Sequence, residues 1–184
     1  MLKTAPRPLT VHDYRELPEG PPYFQLIEGD LVMSPSPNRF HQDILLSLAL
    51  LLGNYLKENP IGRIYIAPSD VSLTDLNVYQ PDLYFVSNAR KSILSEQGAE
   101  SAPDLVVEIL SPKTARFDKG VKREVYARTG VKELWIVNPE LREIQVYRLE
   151  QNADVPAATY GESQQFESAI LPGLRISIAH VFEQ

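Results

Sequence analysis

Two carboxylates in this sequence stand within or beside apolar segments, where charged side chains are uncommon. Glu108 interrupts the run DLVVEIL at residues 104–110, which lies between two prolines and has the composition of a buried strand. Asp82 begins a second apolar run, DLYFV, at residues 82–86. A buried ionised carboxylate is normally paired with a cation or bound to a metal. Both residues therefore predict a positively charged partner.

Carboxylates on adjacent strands of one sheet could hold a hard divalent cation. Mg²⁺ favours carboxylate oxygens and usually keeps several water molecules, so Asp82 and Glu108 are candidate ligands for it. Alternatively, Glu108 forms a structural ion pair with Lys122 or Arg123 in a core that binds no metal. Carboxylates and a lysine in proximity do not by themselves define an enzyme.

A basic segment follows the strand that contains Glu108. Residues 113–132 include seven basic and two acidic residues, a local balance of +5 in a chain whose net charge is −6. The overall charge argues against a surface that coats nucleic acid generally. The segment predicts a helix that ends near Gly130, whose cations either reach over the carboxylates or form a solvated face. The basic residues are Lys113, Arg116, Lys119, Lys122, Arg123, Arg128 and Lys132.

Length and composition predict one globular domain spanning residues 1–184. Hydrophobic residues make up 43% of the 184, which is sufficient for a core. The absence of cysteine excludes disulfides and thiolate chemistry and favours the cytoplasm. The first ten residues, MLKTAPRPLT, lack an apolar signal core, and the apolar run at residues 44–52 is too short for a membrane span. We expect a cytoplasmic protein without a membrane segment.

The elements that must position these residues indicate an α/β (α+β) protein with a mixed sheet. Thr10 is a candidate N-cap of a short helix, and Asn38 of a long helix that runs to about Lys57. A β-hairpin is predicted around Glu28-Gly29-Asp30. Strands are expected at residues 63–66, 71–73, 82–86, 104–110, 134–137 and 143–147, residues 151–165 should be irregular, and a strand-like segment with a helical turn should span 170–182.

Several residues in these elements have open interpretations. Apolar side chains cover more than one stripe of the long helix, which predicts burial against the sheet and against other elements or a second subunit. His41 in its first turn is either a structural hydrogen bonder or a contact to phosphate or substrate. Glu28 is either a surface turn acid or a residue beside the metal. Trp135 and Tyr126 either stack on bases or belong to the core, and their places in an apolar strand and an amphipathic helix favour the core.

The order of several motifs resembles one protein family. These are FQLIEGDLVMSP, RFHQ, QPDLYFV, PDLVVEILSP and DKGVKREVYARTGVKELWIVNP. Together they resemble the Uma-type endonucleases of the PD-(D/E)XK nuclease superfamily, over a core of about residues 10–178. The resemblance implies a restriction-endonuclease-like fold, in which a central mixed sheet is flanked by helices, with an N-terminal hairpin and a long helix.

The resemblance also implies roles for individual residues. Asp82 matches the Asp of the PD element, and Glu108 matches the acidic residue of the (D/E)XK element. Leu110 stands where the superfamily has its strand lysine. By the family pattern that lysine has moved to the following helix as Lys122, and Lys119 is its nearest competitor. Glu28 falls in the family's hairpin as an auxiliary acid.

The implied activity is metal-dependent hydrolysis of nucleic-acid phosphodiesters, with DNA as the expected substrate. Asp82, Glu108 and the carbonyl of Ile109 would hold Mg²⁺ or Mn²⁺, and Lys122 would assist the water or the phosphate. Lys113, Arg116, Lys119 and Arg123 would contact the nucleic-acid backbone. Two sites in a homodimer would serve cleavage of both strands. The alternatives are a non-catalytic nucleic-acid- or protein-binding module and a hydrolase acting on another phosphoester.

Overall fold

Residues 7–18 and 20–183 are described by the computed structural model of this chain. Residues 1–6 of the predicted signal-free N-terminus lie outside the described residues. The helices are α1 (Val11–Arg15), α2 (Arg39–Glu58), α3 (Ala115–Asp118), α4 (Val121–Thr129) and α5 (Ile178–Phe182), with a 3₁₀ helix at Asn88–Ile93. The strands are β1 (Phe24–Ile27), β2 (Asp30–Met33), β3 (Gly62–Ile66), β4 (Asp70–Thr74), β5 (Asn77–Tyr79), β6 (Leu83–Ser87), β7 (Gly98–Ala99), β8 (Leu105–Ile109), β9 (Glu133–Asn138), β10 (Glu143–Arg148), β11 (Ala158–Gly161), β12 (Gln165–Glu167) and β13 (Arg175–Ser177).

A six-stranded mixed sheet carries the central strands. Its order is β11-β10-β9-β8-β6-β3, in which β8 and β9 are parallel and the other neighbours are antiparallel. The predicted mixed α/β class is therefore confirmed. The prediction of an irregular segment at 151–165 is wrong for β11, because residues 158–161 pair with β10 and add an edge strand to this sheet.

The two faces of this sheet are covered by different elements. Along β8, Leu105, Val107 and Ile109 pack in one core with the buried residues of α2. Val106 and Leu110 pack in a second core with the buried residues of α4. Because side chains alternate along a strand, Glu108 points to the face that α4 covers.

Helix α2 begins where the sequence predicts. The Asn38 side chain accepts a hydrogen bond from the His41 backbone N–H at 2.8 Å, which caps the first turn. Ile44, Leu48 and Leu52 are fully buried, whereas Leu46 and Leu50 remain exposed in the single chain. A second subunit over this face stays a prediction. Within the described residues, no helix combines the length and apolarity that membrane crossing requires.

The N-terminal hairpin belongs to a second sheet that the sequence did not predict. This sheet has the order β2-β1-β5-β4-β7, and β5 has only three residues, too few for a recognisable period. The hairpin turn is as predicted, with Gly29 at φ 84°. A Cβ at Gly29 would lie 2.4 Å from Cβ of Pro8, so glycine is required there.

Candidate active site

A cavity of about 1000 Å³ opens at the end of the six-stranded sheet where β8 and β9 finish and β6 begins. The cavity brings together seven of the residues that the sequence singled out. They are His41, Asp82, Glu108, Ile109, Lys113, Lys119 and Lys122. Pairing of β6 with β8, for example Leu83 opposite Val107, brings the two carboxylates together from distant parts of the chain.

Asp82 lies just before β6 and is held by two hydrogen bonds. Its Oδ2 accepts the backbone N–H of Ile109 at 2.7 Å, and its Oδ1 lies 2.9 Å from His41 Nε2. His41 is itself fixed in the first turn of α2 by the Asn38 cap. The side chain of Asp82 is 19% exposed, so it can still reach a ligand in the cavity. His41 therefore orients Asp82.

Glu108 lies at the floor of the cavity and contacts α4. Its Oε1 is 2.6 Å from Nζ of Lys122 and accepts a hydrogen bond from the Tyr126 hydroxyl at 2.5 Å. Lys122 also donates to Oδ1 of Asp118 at 2.9 Å. The Glu108 and Lys122 side chains are only 4% and 3% exposed. Lys122, rather than Lys119, is thus the lysine in contact with the carboxylate.

Burial governs the protonation of these groups. Burial raises the pKa of Glu108 to about 8, since neighbouring Asp118 and Asp82 act in the same direction and Lys122 acts against it. Burial opposes the charged form of Lys122, but Asp118 and Glu108 outweigh it and raise the pKa of this lysine above its ordinary value. Lys122 therefore remains an ammonium group at neutral pH and cannot accept a proton there.

The donor set of this site fits one hard divalent cation. Asp82, Glu108 and Asp118 line the cavity with one buried ammonium, Lys122, which contacts Glu108 and Asp118. When fully ionised, these four side chains have an excess of two negative charges. Lys122 and Tyr126 both contact Oε1 of Glu108. Oε2 has no hydrogen-bond or ion-pair partner among the described residues, so it is available to a metal ion. Within residues 7–18 and 20–183, no cluster of three or more His, Asp or Glu side chains is arranged to hold a metal. Mg²⁺ needs only one or two carboxylates because waters complete its shell.

The predicted positive patch is smaller than the residue count indicates. Arg123, whose side chain is 14% exposed, donates to the Asp154 carbonyl at 2.8 Å and lies 3.6 Å from its carboxylate. Arg128 pairs with Glu28 at 2.6 Å. Lys132 pairs with Asp104 at 2.9 Å. These cations are already neutralised by partners that are distant in sequence.

Three cations of the segment have no acidic partner among the described residues. They are Lys113, Arg116 and Lys119, all of which are exposed. Lys113 and Lys119 line the cavity. Arg116 lies over the ring of Phe117, 4.5 Å from its centroid, and does not line the cavity. Besides the buried Lys122, Lys113 and Lys119 are therefore the cations of the described basic segment that line the cavity with the carboxylates.

Glu28, Trp135 and Tyr126, which the sequence also singled out, contact other side chains of the protein. Glu28 is exposed, accepts from Asn77 at 3.1 Å and pairs with Arg128, and it does not line the cavity. Trp135 is fully buried in the core, as predicted. Tyr126 is also buried, but its hydroxyl contacts Glu108, which the interpretation as core missed. The sequence signal for this contact is the four-residue spacing of Lys122 and Tyr126, which places both side chains on one face of α4.

Comparisons with known proteins agree with this architecture. Residues 11–179 match the sequence profile of the Uma2 family, described as "Putative restriction endonuclease". The chain is also similar to the crystal structure of "a putative nuclease belonging to DUF820" from Anabaena variabilis. The two share 23% sequence identity with a TM-score of 0.77, over 95% of this chain and 98% of that chain, which confirms the predicted fold. No curated protein sequence matches this chain.

Proposed function

Because this chain belongs to the Uma2 family, we propose that it is a metal-dependent endonuclease that hydrolyses phosphodiester bonds in DNA. One observation carries the proposal. Asp82 and Glu108 come from neighbouring strands to one cavity, and Lys122 lies 2.6 Å from Glu108. Paired carboxylates can hold the metal ion, and an adjacent cation can offset the charge on the phosphate, in metal-dependent phosphodiester hydrolysis.

The two carboxylates act as metal ligands in this proposal. Asp82 and Glu108, with the carbonyl of Ile109, would hold Mg²⁺ or Mn²⁺. When bound, such a cation polarises the scissile phosphate and lowers the pKa of a coordinated water. The Ile109 N–H and His41 hold Asp82 in position. Positioning of this kind lowers the entropic cost of reaching the reactive geometry.

Lys122 acts as a fixed positive charge. Its ammonium favours the ionised form of Glu108, since the two groups are 2.6 Å apart in a buried site. The same charge would offset the negative charge that develops on the phosphate during attack. Proton transfer falls to water or to another group, because Lys122 stays protonated.

The exposed cations Lys113, Arg116 and Lys119 would bind the nucleic-acid backbone. Such contacts orient a strand without reading its sequence and weaken as salt rises. Arg123 was also predicted to contact the backbone. We leave it out of the proposal because Asp154 already occupies its guanidinium group.

Cleavage of DNA tests the proposal directly. Purified protein should cut supercoiled plasmid and single-stranded DNA with Mg²⁺ or Mn²⁺ and should be inactive with EDTA. Asp82→Asn and Glu108→Gln should abolish cutting, because each keeps the side-chain shape and removes a charged ligand. Asp30→Asn, an exposed carboxylate on β2, is the matched control and should cut normally. Equal cutting by all variants would refute the assigned site.

One observation favours a non-catalytic binding module as a second candidate. Lys122 lies within 2.9 Å of both Glu108 and Asp118 and already neutralises part of the site. Such a module predicts no cleavage with any metal and unchanged DNA affinity in Asp82→Asn. A calorimetric titration that detects no Mg²⁺ binding to the wild-type protein would favour this candidate.

The wider setting of the protein is also a proposal. We place the protein in the cytoplasm, as a single domain over residues 1–184. A homodimer related by a twofold axis would bring two sites to one duplex. Sedimentation equilibrium tests this assembly, since it distinguishes a monomer from a dimer by mass.

A further inference from the structure

The cavity has both aromatic and cationic walls. Tyr23, just before β1, and Phe40, in the first turn of α2, contribute aromatic rings. Lys113 and Lys119, in the segment between β8 and α4, contribute positive charge. Proteins that bind single strands combine cations that follow the backbone with aromatic rings on which bases stack. Tyr23 is 42% exposed, so its ring is accessible for stacking.

The depth of the carboxylate site limits what can reach it. The Glu108 and Lys122 side chains are 4% and 3% exposed at the floor of a cavity of about 1000 Å³. A phosphodiester therefore has to enter the cavity to approach Glu108. A single strand is flexible enough to follow the cavity inward, whereas duplex DNA is stiff over about 150 base pairs.

The available charge also suits a single strand. A protein that binds duplex DNA tightly neutralises, for example, about 6–10 phosphates with Lys and Arg side chains. Lys113, Arg116 and Lys119 are the cations near this cavity that lack an acidic partner in the described part of the chain. Arg123 and Arg128, on the following helix, are bound to Asp154 and Glu28.

We propose that the site acts on unpaired nucleic acid, such as single-stranded DNA or a strand displaced from a duplex. The backbone follows Lys113 and Lys119 toward the carboxylates, and a base stacks on Tyr23. This inference rests on the proposed nuclease function and narrows its substrate. It does not require a second subunit, because one strand needs one site.

Binding of labelled oligonucleotides tests the inference apart from turnover. Fluorescence anisotropy would compare an oligothymidylate with a blunt duplex of the same length, in Ca²⁺ instead of Mg²⁺. The single strand should bind at least tenfold tighter, and its affinity should fall with salt with a logarithmic slope of about −2, as three cations on a single strand predict. Tyr23→Ala should weaken this binding about 5- to 150-fold, the range expected for the loss of one stacked base.

Two matched variants separate stacking from other effects. Tyr23→Phe keeps the ring and should retain affinity. Met33→Ala removes an exposed apolar side chain from β2, outside the cavity, and should leave affinity unchanged. Duplex binding as tight as single-strand binding, or full affinity in Tyr23→Ala, would overturn the inference.

Cleavage distinguishes failure of this inference from failure of the proposed function. With Mg²⁺ or Mn²⁺, the protein should cut circular single-stranded DNA. A covalently closed plasmid in the relaxed form should resist cutting. Equal cutting of both circles would overturn the single-strand inference and leave the nuclease function standing. Hydrolysis of mononucleotides without cutting of either circle would overturn both proposals. If no substrate is cut, the nuclease function fails and the inference falls with it.

Discussion

Replacing Lys122 with methionine tests whether the buried charge cluster is assembled as described. Nζ of Lys122 lies 2.6 Å from Glu108 and 2.9 Å from Asp118, and the side chain is 3% exposed. Methionine preserves most of the volume and removes the charge, so two carboxylates lose their buried cation. Breaking a buried ion pair from one side destabilises a protein by about 3–5 kcal/mol.

The pH determines where in this range the loss falls. Burial raises the pKa of Glu108 to about 8 while Lys122 is present, and loss of this cation raises that pKa further, so Glu108 takes up a proton in Lys122→Met. Protonation removes one of the two unpaired charges. We therefore expect a smaller loss at about pH 6, where Glu108 is protonated with or without Lys122, than at about pH 9, where the wild-type protein keeps the ionised pair.

Urea unfolding followed by circular dichroism measures this loss. Lys119→Met is the matched control, since Lys119 is exposed and three residues away, and it should change the unfolding free energy by less than about 0.5 kcal/mol. Adding Glu108→Gln to Lys122→Met should recover part of the loss, because it removes one unpaired carboxylate. A Lys122→Met protein within about 1 kcal/mol of wild type at both pH values would refute the proposed charge balance.

Three further predictions concern the neighbours of this cluster. The folded protein favours protonated Glu108, so this group stabilises the fold fully below about pH 4.5, and the stabilisation is lost as the pH rises through about 8. Urea unfolding of the metal-free protein should show this fall in the unfolding free energy, and Glu108→Gln should show a smaller fall. Tyr126→Phe removes a hydrogen bond to Glu108 and should lower the unfolding free energy by about 1–3 kcal/mol, with no change if the contact contributes nothing. His41→Ala leaves Asp82 without one of its two fixed contacts and should weaken Mg²⁺ binding about 10- to 100-fold by calorimetry, whereas wild-type affinity would exclude a positioning role.

Local patterns in the sequence were sufficient for the elements that carry the site. Thr10 and Asn38 cap α1 and α2 as expected, and Asp13 completes a capping box with Thr10. The apolar runs around Asp82 and Glu108 predicted β6 and β8 because few other conformations bury consecutive β-branched and aromatic residues. The hairpin pairing of β1 with β2 followed from its turn, but the pairing of distant strands is a long-range property that local patterns do not determine.

The second sheet shows where local patterns fail. Its strand β5 contains three residues, and β7 contains two, so neither has a measurable period. The two interpretations of Glu28, a surface turn acid or an acid beside the metal, came from its place in the hairpin turn and from the family resemblance. Its partner Arg128 is 100 residues away, a contact that no short-range spacing encodes.

Charge partners were the least predictable feature of the site. Seven basic residues in one segment indicated a patch, but Arg123 and Lys132 are neutralised by Asp154 and Asp104 from other segments. A cation from the helix was expected beside the carboxylates, and an ion pair between Lys122 and Glu108 was considered as an alternative to a metal site. In the structure the pair and the open carboxylate oxygens coexist, because Lys122 balances one of three negative charges.

Parallel measurement of Mn²⁺ binding and DNA cleavage tests the central claim most directly. Electron paramagnetic resonance would report bound Mn²⁺ in the same titration in which cutting of single-stranded DNA is timed. Occupancy and cleavage rate should rise with one midpoint in the wild-type protein, and both should be lost in Asp82→Asn. Cleavage that is independent of Mn²⁺ occupancy, or wild-type Mn²⁺ binding by Asp82→Asn, would contradict the assignment of Asp82 and Glu108 as the metal site.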